Sequence, residues 1–189
     1  MSISARLTVA EYGRMLIAGV FDQGRRVEFI EGEIREMAPI GPEHETVVDQ
    51  LVRWSFRNVD DTSVLIRVQQ SLRLANSDSV PQPDLVWVVN ADYSQARPTA
   101  GDVLLLVEVA ESSLAYDLGE KVDLYAASGV TEYWVVDCPN RRVIAHRDPG
   151  KSGFRTVRSY GADADESLSP LCRPRVILLP RVLFQRDTR

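Results

Sequence analysis

The sequence predicts a mixed α/β protein, with one sheet and a helix on either side of it. Two stretches, Leu85 to Val89 and Val103 to Val109, are apolar at almost every position, as strands covered on both faces must be. Two others, from Pro42 and from Ala115, repeat apolar residues at helical spacing. The elements follow one another as β-β-α-β-β-β-α-β-β-β. At 189 residues, 44% hydrophobic and 26% charged, the chain suits a single domain with a substantial core. Within it, residues 1–25 are expected to form a helical extension, 26–160 the core and 161–189 a C-terminal strand segment.

Thr8 and Glu11 have the form of a capping box, and Val9, Tyr12, Leu16 and Val20 follow at roughly helical spacing, which predicts a short helix to about Gly19. From Arg26, RVEFIEGEIREMAP sets Val27, Phe29, Ile34 and Met37 between charges, with Glu31-Gly32 where a tight turn belongs, so a β-hairpin is expected. Its carboxylates Glu28, Glu31, Glu33 and Glu36 are expected to face solvent. Pro42 opens a helix whose buried stripe is Val47, Val48, Leu51, Val52 and Phe56. Glu43 and Glu45 favour its N-terminal dipole, and His44 stands in its first turn, where a capping or surface role is usual.

Ser63 to Leu74 reads as one long strand with a half-exposed face, ended by the polar loop NSDSVPQ. Pro83 cannot continue a helix and disposes Asp84 to start the next strand extended. After the loop NADYSQARPTAG comes the Val103 strand, then the helix AYDLGEKVDLYAASG, with Leu118, Val122 and Ala126 on one face and Gly129 as its C-cap. TEYWVVD and RRVIAHRD are strands joined by a turn at Cys138-Pro139-Asn140. FRTVRSY and RVILL add strands, with a short helical turn at SLSPL between them.

A net charge of -5 and an isoelectric point near 5.1 argue against nucleic-acid binding driven by bulk charge, although a local basic face and a metal ion can do the same work. Cys138 and Cys172 have no metal-like spacing, which argues against a disulfide scaffold or zinc site and suits a reducing compartment. The N-terminal MSISARLTVAEY lacks a signal peptide's apolar centre, and no apolar run is long enough to span a bilayer. A cytoplasmic protein without membrane association is expected.

Glu108 lies inside the apolar Val103 run, where an unpaired carboxylate costs several kcal/mol, so a metal ion or a lysine must compensate it. Asp84, 24 residues earlier, begins the other buried strand, and adjacent strands would bring the two carboxylates close together. Two carboxylates that close do not ionise together cheaply without a cation. Mg²⁺, with Mn²⁺ as a substitute, takes oxygen ligands and keeps several waters; Asp84, Glu108 and the Val109 backbone carbonyl would supply them. Such an ion lowers the pKa of its bound water and clamps a phosphoryl oxygen, the chemistry of phosphodiester hydrolysis. On the following helix Asp117, Lys121 and Tyr125 share a face, drifting only about 40° per step. Lys121 could orient the attacking water there, or form a plain i,i+4 ion pair with Asp117 on a solvated helix.

Pro83-Asp84, Glu108-Val109-Ala110, the helix Asp117, Lys121, Tyr125, the hairpin EFIEGEIREMAP, His44 and the run GV-x-EYWVVD together resemble the Uma2 or DUF820 endonuclease family. That family lies within the PD-(D/E)XK restriction-endonuclease-like superfamily, and the resemblance covers about Arg26 to Tyr160. It implies a restriction-endonuclease-like central mixed sheet flanked by helices, with an added N-terminal helix and hairpin. It also implies Mg²⁺-dependent cleavage of DNA with Asp84 and Glu108 as metal ligands. One position departs from the superfamily, because its lysine would fall at Ala110, and Lys121 is the residue that matches in its place. Asp117 and Tyr125 match the helix pattern, and His44 and Glu36 match the amino-terminal pattern as supporting residues.

Three functions are compatible with this reading. The first is a Mg²⁺-dependent DNA endonuclease, for which a homodimer would be the simplest way to cut two strands. The second is an inactive nuclease scaffold that binds nucleic acid or a protein. The third is a purely structural ion pair between Glu108 and Lys121.

Overall fold

Alternating burial along a few strands decides the layering. The computed structural model describes residues 5–21, 25–60 and 62–185. Helix α1 (Val9–Ile17) starts at the Thr8–Glu11 capping box, with both reciprocal hydrogen bonds present. Strands β1 (Val27–Ile30) and β2 (Glu33–Glu36) form a separate two-stranded hairpin. Glu31 and Gly32 both take positive φ at its turn, as a two-residue hairpin requires. A side chain at Gly32 would also place its Cβ 2.7 Å from the Cβ of Arg6.

Helix α2 (Pro42–Asn58) leads into a six-stranded sheet of β3 (Val64–Val68), β4 (Leu85–Val89), β5 (Val103–Ala110), β6 (Glu132–Asp137), β7 (Arg142–Gly150) and β8 (Gly153–Gly161), adjacent in that order. Only β5 and β6 pair in parallel, and the crossover this demands carries α3 (Leu114–Asp117) and α4 (Glu120–Ala127). Successive β4 residues point to opposite faces. Leu85 and Trp87 pack with Val47, Leu51 and Trp54 of α2, whereas Val86 and Val88 share the other core with Leu124 and Tyr125 of α4. The Trp54 and Trp87 rings stack at 5.2 Å. A helix therefore covers each face, as the sequence predicts. Among the described residues no helix is long and apolar enough to cross a membrane.

The structure corrects several details. Phe56, expected in the buried stripe of α2, is 64% exposed. The strand expected over 63–74 stops at Val68, because Gln69 adopts φ 50° and turns the chain, although its N–H still bonds the Asp84 carbonyl at 3.0 Å. Beyond it Leu72 and Leu74 bond Pro81 and Ser79 instead of the sheet. The helix expected from Ala115 to Gly129 is divided at Gly119, whose ψ of -101° is not helical. A Cβ at Gly119 would lie 2.8 Å from the Ala115 carbonyl oxygen, so the close approach favours glycine. In the tail, RVILL contributes only the single bridge between Leu178 and Leu168, and SLSPL forms no helical turn. Pro170, Pro174 and Pro180 lack the N–H groups that a ladder needs. Finally, Glu28 is buried at 3% exposure, where solvent was expected.

Leu51 is fully buried between α2 and the sheet. Leu51→Ala should lower stability by about 2–5 kcal/mol in denaturant unfolding, because the site cannot fully collapse onto the cavity.

Candidate active site

The ends of β4 and β5 bring the first two carboxylates together. Leu85 pairs with Val107, so Asp84, immediately before β4, comes opposite Glu108. The Asp84 amide donates to Glu108 Oε2 at 3.2 Å, and the Val109 amide donates to Asp84 Oδ2 at 2.9 Å. The same pairing explains the direction of the Val109 carbonyl. Ala110 faces β6, where its carbonyl accepts from Cys138, so its neighbour Val109 turns both its N–H and C=O toward the Asp84 side. The first turn of α2 brings His44 Nε2 to 3.1 Å from Asp84 Oδ2, and Gln69 Nε2 donates to Oδ1 at 3.3 Å.

From the opposite side α4 contributes Lys121, only 3% exposed. Its Nζ donates to Glu108 Oε1 at 2.8 Å and lies 3.7 Å from Asp117 Oδ1 and 3.6 Å from Glu28 Oε2. The Tyr125 hydroxyl donates to the same Glu108 oxygen at 2.8 Å. Asp117 is fixed by a short hydrogen bond from Ser113. The structure thus assembles six of the residues singled out in the sequence: Asp84, Glu108, Lys121, His44, Asp117 and Tyr125. Glu36 stays at the rim, more than half exposed and paired with Arg25 at 2.9 Å. All of these groups except Tyr125 line a cleft of ≈ 380 Å³, bordered by Met37 to Ile40 and by Ser112 and Ser113.

Glu28 and Tyr116 are the residues that sequence reasoning missed. Glu28 Oε1 accepts from the Tyr116 hydroxyl at 3.1 Å, whereas its buried Oε2 accepts no hydrogen bond. Lys121 also lies 5.3 Å from the centre of the Tyr116 ring. A signal was present, since Glu28 shares a strand face with the apolar Ile30 and that face points inward.

The family's sequence profile, described as "Putative restriction endonuclease", matches residues 9–176. The chain belongs to the Uma2 family. A crystal structure described as a putative nuclease belonging to DUF820, from Anabaena variabilis, superposes with a TM-score of 0.74 at 14% identity, over 94% of this chain and 97% of that one. At that identity the likeness shows a shared fold. No curated protein matches the sequence.

Within this Uma2 fold the cluster holds four buried acids, Asp84, Glu108, Asp117 and Glu28, against one buried lysine. Burial pushes the Glu108 carboxyl up to about 8, with Lys121 opposing the shift and the neighbouring acids adding to it. Burial likewise raises Asp117. Burial alone would raise Asp84 too, but the His44 hydrogen bond and charge, the Val109 amide and Lys121 outweigh it and hold its carboxyl below the ordinary value. Lys121 is driven upward, because Glu108, Glu28 and Asp117 outweigh its desolvation, so it remains an ammonium.

Among the described residues no three His, Cys, Asp or Glu side chains converge so as to hold a metal ion. Asp84 and Glu108 do come together, with the Val109 backbone on the Asp84 side, and such oxygen donors suit a hard cation that keeps much of its water shell. The acidic surplus makes a cation electrostatically welcome there.

The raised Glu108 pKa has a definite sign for stability. Its folded form binds a proton more tightly than the unfolded chain, so its contribution is fully present below its ordinary value of 4.5 and is lost as pH rises through about 8. In chelator-treated protein, the melting temperature should fall between about pH 5 and pH 8.5. Glu108→Gln should flatten that fall, which thermal unfolding of both proteins across the range will check.

Proposed function

We propose that this Uma2 protein is a metal-dependent endonuclease that hydrolyses phosphodiester bonds in DNA. The observation that carries the reading is the convergence of Asp84, Glu108 and Lys121 in one cleft. The family's description as a restriction endonuclease supports the reaction class.

Asp84, Glu108 and the Val109 carbonyl would hold Mg²⁺, with Mn²⁺ as a substitute. Bound there, the ion would supply a water of lowered pKa and neutralise charge on a phosphoryl oxygen. His44 holds Asp84 by its Nε2, the kind of outer contact that orients a ligand. Tyr125 and the Asp84 amide fix the two Glu108 oxygens, so its carboxylate plane is set before any substrate binds. Lys121 keeps a permanent positive charge beside Glu108, where its Nζ–H groups can orient the attacking water and stabilise the anion that forms. Asp117 and Glu28 hold that ammonium at the cleft wall.

Purified protein should nick supercoiled plasmid in Mg²⁺ or Mn²⁺ and not in chelator. Asp84→Asn and Lys121→Met should each reduce the rate by about 10²-fold or more. Robust cleavage in both variants would sink the assignment.

His44→Ala should weaken Mn²⁺ binding about 10- to 100-fold in calorimetric titration while leaving the fold intact. Affinity unchanged from wild type would remove His44 from the site.

The 2.8 Å Lys121–Glu108 contact also favours a second reading, an ion pair that only holds the fold. That reading requires Lys121→Met to cost about 3–5 kcal/mol of stability and requires metal to change nothing.

A further inference from the structure

Three cations line the cleft: Arg26, Arg35 and Lys121. Two of them are neutralised. Lys121 lies among Glu108, Glu28 and Asp117, and Arg35 has Glu120 at 2.5 Å and Glu33 at 3.2 Å. Arg26 has no acid partner among the described residues, although Glu28, Glu36, Glu111 and Asp117 border the same cleft. Its Nη2 is buried and donates to no acceptor, while the residue as a whole stays partly exposed at the cleft wall.

The backbone explains how this position is held. Arg26 precedes β1 and stands two residues before Glu28, on the hairpin face that turns toward the cleft. Its carbonyl accepts from the Met37 amide at 2.9 Å, which continues the β1–β2 ladder and anchors its backbone. A guanidinium does not shed its proton, so the buried Nη2 is a charged donor with its hydrogen bonds unmade. A chain that pairs Arg25, Arg35 and Lys121 with acids leaves Arg26 ready for an anion from outside.

We propose that Arg26 is the phosphate clamp of the cleft, donating to the non-bridging oxygens of the DNA phosphodiester that lies against Asp84 and Glu108. The proposal rests on the nuclease reading and names the residue that positions its substrate. The planar guanidinium fork matches two phosphate oxygens. It also resolves an electrostatic conflict, because four buried acids would otherwise repel the strand.

The test is fluorescence anisotropy of a labelled DNA duplex, with Ca²⁺ in place of Mg²⁺, at salt from about 50 to 200 mM. Arg26→Gln should bind at least tenfold more weakly, with the slope of log affinity against log salt reduced by about one. Arg26→Lys should recover the slope without the full affinity, and the melting temperature of Arg26→Gln should match or exceed that of wild type. Unchanged affinity and slope in Arg26→Gln, beside salt-dependent binding by wild type, would overturn the clamp and leave the nuclease reading standing. Weaker binding accompanied by a melting temperature lowered in both variants would assign Arg26 to packing and also overturn it. Wild-type protein that binds no DNA at any salt would remove both the clamp and the reading beneath it.

Discussion

A carboxylate in the middle of a fully covered sheet must be compensated, and the surroundings of Glu108 are arranged around that need. β5 is buried along nearly its whole length, so water cannot solvate the charge. Lys121 and Tyr125 hydrogen-bond one oxygen and the Asp84 amide the other. Two of these donors come from α4 and the third from the residue before β4, which ties the crossover helix and the start of β4 to the same point. The division at Gly119 belongs to this arrangement, because it starts α4 afresh just before Lys121.

The compensation is incomplete in charge even where it is complete in hydrogen bonds. One ammonium faces four buried acids, and burial, with the neighbouring acids adding to it, raises the Glu108 and Asp117 carboxyls. A site built only for stability would gain from replacing such acids with apolar groups. Four buried acids around one lysine therefore cost stability, a cost that the proposed metal ion would offset. Asp84 makes the complementary choice: His44, Gln69 and the Val109 amide satisfy it, and its carboxyl stays ionised.

The 14% identity with the Anabaena variabilis structure, over nearly all of both chains, shows how little sequence this scaffold fixes. What it does fix is topological. An antiparallel β4–β5 pair and a parallel β5–β6 pair place the start of β4 beside the C-terminal end of β5, and the crossover helix returns over that point. Lys121 on α4 therefore reaches Glu108, beside which Ala110 of β5 offers no functional group.

Much of this was legible in the residues. Apolar runs marked β4 and β5 as buried strands, and the lone acids at Asp84 and Glu108 stood out against them because burial makes an isolated charge costly. Helical spacing put Asp117, Lys121 and Tyr125 on one face, and the structure keeps that face turned to Glu108. Local pattern could not reveal which surfaces the hairpin meets. Glu28 looks like its solvent-facing neighbours until β1 is packed beside α3, and Arg26 looks like an ordinary surface arginine until the cleft closes over its Nη2. The tail likewise has strand-like composition, but its prolines and the absence of a neighbouring ladder leave Leu178 with a single bridge. Period and propensity are properties of neighbours along the chain. The partners of a buried charge are set by contacts between distant segments, and those exist only once the chain has packed.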